Sequence, residues 1–216
     1  ANTTSVLQNV TFNYVTGVLD GSRATADADA GKLNLTNATL NTLTIGNAAN
    51  TEGFETLALT STGVNNVKTL QATDLETLTV SGTGSLAIVN TTETNEATTV
   101  ATGGLAIGDG IGIRAVDLSA FKGTTSIDIT SAIGLRNDPL NSGASFYGNV
   151  KGGEGADTFW VRSSIAGETT KADVINGGDG VDTIRFYGGS ISEKAKISNV
   201  EALKSATTAA PTKGPN

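Results

Sequence analysis

Apolar positions along the chain recur in a short figure, apolar-x-x-apolar-x-apolar. It reads Leu40-Asn41-Thr42-Leu43-Thr44-Ile45, then Phe54-Glu55-Thr56-Leu57-Ala58-Leu59, then Leu75-Glu76-Thr77-Leu78-Thr79-Val80, then Ile113-Arg114-Ala115-Val116-Asp117-Leu118. Two copies share Glu-Thr-Leu at the same phase, and Val200-Glu201-Ala202-Leu203 is a partial echo. The last three positions of each copy alternate with period two, as in a strand with one buried face. Val10-Thr11-Phe12-Asn13-Tyr14, Leu33-Asn34-Leu35 and Ser126-Ile127-Asp128-Ile129 alternate likewise. Gly, Asn, Ser and Asp fill the intervals, as corners require.

The copies start 14, 21 and 38 residues apart. Short strands joined by corners of uneven length predict an all-β fold, a parallel β-helix-like solenoid whose rungs carry loops. Leu43, Leu57, Leu78 and Val116 are then expected to share a core. A β-sandwich gives the same alternation. A leucine-rich repeat nearly fits residues 40–47, but that repeat needs a constant period of about 20–29 residues. Thr73-Asp74-Leu75 and residues 115–122 each carry a helix-start signal, without a long apolar stripe at helical spacing.

Composition narrows the chemistry. The chain has 216 residues with net charge −7, 34 Thr, 27 Gly and no His, Cys or Met. Thr suits strands through its β-branch. Disorder competes as a reading of so much Thr, Ser and Gly, and the regular apolar spacing argues against it. Without His or Cys there is no Ser-His-Asp triad, thiol nucleophile or His/Cys zinc site. The acidic balance argues against a nucleic-acid partner and against anionic lipid. No apolar run is long enough for a membrane helix, so no membrane insertion is expected. A hard, oxygen-ligated cation stays possible. Residues 1–5 lack the basic and apolar regions of a signal peptide, and residues 206–216 read as a flexible tail. Both ends are expected to continue into a longer protein.

Residues 152–160 read Gly-Gly-Glu-Gly-Ala-Asp-Thr-Phe-Trp and residues 177–185 read Gly-Gly-Asp-Gly-Val-Asp-Thr-Ile-Arg. Both fit G-G-x-G-x-D-x-U-x, with U large and apolar. The glycines permit positive φ and let carbonyls approach a cation, and the Asp supplies a carboxylate. Calcium accepts such mixed shells of about six to eight oxygens. Plain turn chemistry, with each Asp capping a loop amide, accounts for the same residues.

The two nonapeptides resemble those of the RTX family, type I-secreted proteins with calcium β-rolls. The likeness covers about residues 146–185. It implies that calcium sits between successive loops, with Asp157 and Asp182 as carboxylate ligands. Gly152, Glu154, Gly177 and Asp179 would give backbone carbonyls, and Asp173 would reach in from the opposite side. The chain departs from the family in spacing: its copies begin 25 residues apart instead of running in tandem. Residues 163–170 form an excursion in that interval.

Asn137-Asp138-Pro139 is a turn signal. It divides an expected Thr-rich solenoid, residues 1–138, from an RTX-like calcium-binding region, residues 139–205, packed on it. Gly103-Gly104 and residues 108–112 read as a degenerate turn. The expected function is a non-enzymatic structural or assembly module of a secreted bacterial cell-surface protein, of the surface-layer or RTX-adhesin type. Its expected partners are copies of itself or neighbouring domains of the parent protein. The alternatives are an adhesin domain for a host or matrix ligand, and a calcium-dependent polysaccharide lyase with Arg162, Lys171 or Arg185 as base. A protease or lipase roll would need a catalytic domain that residues 1–140, without His, do not supply.

Overall fold

The computed structural model describes residues 8–14, 29–47, 53–92, 100–102, 104–106, 113–133, 136–138, 144–187 and 190–205. The N-terminal residues 1–5, the tail 206–216, Pro139 and residues 108–112 lie outside these. Among the described residues the fold is all-β, with a single 3-10 turn at Thr130–Ala132. None of their helices is long and apolar enough to cross a membrane.

Fourteen strands form one curled sheet whose neighbours all run parallel. Each rung of the chain supplies a strand to wall A, turns a corner, and supplies a strand to wall B. Wall A stacks β2 (Ala30–Thr36), the first half of β4 (Thr56–Ala72), the first half of β5 (Thr77–Ile88), β9 (Ala115–Phe121), β13 (Asn149–Lys151), β15 (Val174–Asn176) and β17 (Lys196–Ser198). Wall B stacks β1 (Gln8–Tyr14), β3 (Thr39–Asn47), the second halves of β4 and β5, β10 (Thr124–Asp128), β14 (Asp157–Val161), β16 (Thr183–Phe186) and β18 (Ala202–Ser205). Two excursions leave the stack as antiparallel hairpins: β6 (Asn90–Thr92) with β7 (Val100–Thr102), and β11 (Arg136–Asp138) with β12 (Ala144–Phe146). Between them β8 (Gly104–Ala106) rejoins β4.

The register follows the apolar figure. Leu57, Leu78, Val116, Val150, Ile175 and Ile197 fall in one column of wall A. Val67, Ile88, Ile127, Phe159, Ile184 and Leu203 fall in one column of wall B. Leu57, Leu78 and Val116 are thus in direct register, as their shared phase predicts. Leu43 belongs to the same core but comes from wall B, paired with Val10 and Leu70. The copy at residues 40–45 therefore occupies a different wall from the other three. Burying each of these side chains contributes about 1.5–3 kcal/mol.

Residues 115–121 are strand despite their helix-start signal, because Val116, Leu118 and Phe121 bury into the core. Thr73 and Asp74 form a turn, with Asp74 at φ 63. The core runs without a break from Leu35 to Phe186, and β9 and β10 pair with β13 and β14 across residue 138.

Candidate functional site

The two glycine loops stack one rung apart at the corner between walls A and B. The Asp157 N–H donates to Asp182 Oδ1 at 2.7 Å, and the Asp179 N–H to the Gly153 carbonyl at 2.9 Å. Backbone packing at this corner leaves no room for side chains. A Cβ on Gly84 would collide with the Gly63 carbonyl, one on Gly123 with the Gly84 carbonyl, and one on Gly155 with the Gly123 carbonyl. Gly180 continues the column against Gly155, at φ 117. The glycines of the nonapeptides therefore extend a glycine column that begins in the Thr-rich part.

Beside that column runs a ladder of side-chain acceptors. Each caps the backbone N–H of the rung above it in sequence. The Ala38 N–H donates to Asn65 Oδ1 (2.8 Å), the Thr125 N–H to Asp157 Oδ1 (3.1 Å), the Asp157 N–H to Asp182 Oδ1, and the Asp182 N–H to Glu201 Oε2 (2.7 Å). The corner that leads into wall A repeats the device. There the Asp29 N–H donates to Glu55 Oε2 (2.7 Å) and the Gly148 N–H to Asp173 Oδ1 (2.8 Å). A buried amide left without an acceptor costs about 1–3 kcal/mol, so these side chains hold the corners closed.

The predicted ligands divide accordingly. Asp157 has both carboxylate oxygens occupied: Oδ1 accepts from the Thr125 N–H and hydroxyl, and Oδ2 from the Gly153 N–H at 2.7 Å. Asp182 has one oxygen occupied, and its Oδ2 is buried without a hydrogen-bond partner. Burial raises the pKa of both acids. For Asp182 the charges of Asp157, Glu201 and Asp179 add to the rise, while the amide hydrogen bonds oppose it in both. Asp173 lies at the other corner, where its second oxygen accepts from the Ala166 N–H at 2.7 Å. Glu154 is exposed and pairs with Lys122 Nζ at 3.3 Å. Asp179 is also exposed. Gly152 and Gly177 are buried, each packed on the backbone of the next rung. Among the described residues no three acidic side chains are arranged so that they could hold a metal ion.

As a fit for calcium, the corner offers one unpartnered carboxylate oxygen, on Asp182, amid backbone carbonyls. Asp157 would ligate only by releasing an amide or a hydroxyl. Of the ladder members outside the glycine loops, Glu55 and Glu201 sit in the apolar figure and its partial echo, Asp173 precedes Val174-Ile175, and Asn65 carries no motif. Their signal is an acid or amide next to an inward-pointing strand.

Two of the three cationic side chains weighed as lyase bases, Arg162 and Arg185, have structural partners. Arg162 Nη2 lies 2.8 Å from Asp128 Oδ2. Arg185 sits over the Trp160 ring at 4.9 Å. Trp160 is only 3% exposed; it stacks on Tyr187 at 5.4 Å and donates to Ser126 Oγ, so it offers no free face to a sugar. No family model matches the chain, and neither a curated protein nor a solved structure matches it.

Proposed function

We propose that the chain is a non-enzymatic structural module of a secreted bacterial cell-surface protein, of the surface-layer kind, whose last rungs are set by calcium. The observation that carries this reading is the in-register stacking of the two glycine loops, with the unpartnered Asp182 Oδ2 buried between neighbouring rungs. Calcium there would neutralise a desolvated carboxylate, with Asp182 as the acid and Gly152 and Gly177 as carbonyl donors. Assembly is supported by the open end of the stack. Among the described residues β17 and β18 each pair on one side only, and Leu203 is 53% exposed where Ile184, one rung away, is fully covered. Such an edge accepts a further strand from a copy or a neighbouring domain.

Calcium titration followed by thermal melting tests the reading. Extracellular calcium modules bind at about 10⁻⁴–10⁻³ M. At ten times such a Kd the stabilisation is ~1.4 kcal/mol, a rise of roughly 3–6 °C for a chain of this size. The rise should vanish in Asp182→Asn. An unchanged Tm for the unaltered chain up to about 10 mM calcium, roughly ten times the weakest Kd of such modules, overturns the calcium part of the proposal.

A further inference from the structure

A second feature lies on the opposite side of the rung from the glycine corner. Two loops one rung apart, residues 165–172 and 191–196, enclose an open groove of about 240 Å³ lined by Lys171, Lys194 and Lys196 with Thr169 and Thr170. The loops are locked to each other. Ile165 and Ile191 form a parallel bridge between them, and an antiparallel bridge of Gly167 with Ala172 closes the first loop on itself. Across the loops the Ser192 hydroxyl donates to the Gly167 carbonyl at 3.1 Å and the Ser192 N–H to the Ile165 carbonyl at 2.9 Å, while the Glu168 N–H donates to the Lys171 carbonyl at 2.6 Å within the first loop. Gly167 packs so closely that a Cβ there would press on the backbone between Lys194 and Ala195, at 2.6 Å. The groove is therefore preformed.

Its charge is unusual for this chain, which has 14 cationic residues against 21 acidic ones. Three lysines converge on one trough. Glu168 is the only acid lining it. Lys194 Nζ donates to the Thr169 hydroxyl at 3.0 Å, and no carboxylate pairs with any of the three among the described residues. Clustered ammonium groups recognise closely spaced anions, and the flanking threonine hydroxyls suit sugar hydroxyls.

We propose that this groove binds an anionic glycan, a chain of uronate-type sugars whose carboxylates meet Lys171, Lys194 and Lys196. The site is separate from the glycine corner and does not depend on the calcium or assembly reading.

The test is calorimetric titration of the full chain with an oligogalacturonate in EDTA, which removes calcium bridging. Binding should weaken with salt. It should fall roughly tenfold or more in a Lys171→Gln, Lys194→Gln, Lys196→Gln variant, since each exposed pair contributes modestly. A Lys32→Gln, Lys68→Gln, Lys204→Gln variant has the same net charge and should bind like the unaltered chain. Gly167→Ala changes no charge and should also weaken binding, by displacing one wall. Circular dichroism checks that each variant is folded. No binding of the oligogalacturonate, equal loss in the control variant, or equal affinity for neutral dextran overturns the proposal. Pyrophosphate binding as tight as the oligosaccharide identifies a simple phosphate site and overturns the glycan assignment.

Discussion

Asp157 and Asp182 stand one rung apart at the same corner, yet their carboxylates do different things. Asp157 accepts from three donors, and replacing it by Ala strands the Gly153 amide and the Thr125 hydroxyl and leaves the Thr125 amide only its 3.3 Å bond to the Ala156 carbonyl. Each stranded group costs about 1–3 kcal/mol, with incomplete additivity, so Asp157→Ala should lose ~2 kcal/mol or more in denaturant melts. Asp182→Asn keeps an oxygen for the Asp157 N–H and removes a desolvated charge whose Oδ2 has no donor. In EDTA it should cost less than ~1 kcal/mol. Equal losses would remove the distinction between the two acids.

The pH dependence follows from the same surroundings. Both folded pKa values are raised above the ordinary aspartate value of 3.8, chiefly by burial. A carboxyl so shifted binds its proton more tightly when folded. Its stabilising contribution is complete below pH 3.8 and is lost as pH rises through the folded pKa. Calcium reverses the sign at Asp182, because the ion binds the deprotonated form.

The strands obey one sequence rule that the apolar figure reveals only in part. Glu55-Thr56-Leu57, Asp157-Thr158-Phe159, Asp173-Val174-Ile175, Asp182-Thr183-Ile184 and Glu201-Ala202-Leu203 all place an acid just before an inward apolar residue. The apolar half of the rule was legible because period two survives in any sequence that buries one face of a strand. The acidic half looked like metal chemistry where glycines surrounded it and like plain surface elsewhere. Its meaning lies in the amide of another rung, 19 to 32 residues away, and no local pattern encodes that pairing. The lysine groove is hidden for the same reason, since Lys171 lies on one rung and Lys194 and Lys196 on the next, and no local pattern joins them. The glycine column was legible only in its last two members. Gly123 belongs to it without any motif, and Gly123→Ala should force its Cβ onto the Gly84 carbonyl. A strained overpacking of that kind costs about 1–3 kcal/mol. Ser119→Ala, at an exposed position on the strand that leads into this corner, is the comparison. A Gly123→Ala variant that melts with Ser119→Ala would mean that the corner can open freely.

Over the whole molecule the stack behaves as a one-dimensional array, in which each rung is held mainly by the rungs beside it. A continuous core joins the Thr-rich rungs to the glycine-loop rungs, and the strands pair across residue 138. The two parts nevertheless differ in what closes their corners. Rungs around β4 and β5 use Asn65, glycines and long paired strands, with twelve matched positions between them. The last rungs use short strands of three to five residues and acids whose charges repel. Removing a bound cation should therefore fray the stack from its C-terminal end. In hydrogen exchange, EDTA should lower protection across residues 146–205 and leave the amides of residues 56–88 nearly unchanged, with protection rising rung by rung between them. Nearest-neighbour coupling makes a gradient the expected form, because each loosened rung exposes the face of the next. Simultaneous loss in both regions would mean that the core transmits unfolding through the entire stack. Undiminished protection in both would mean that the carboxylate ladder holds the last rungs without a cation.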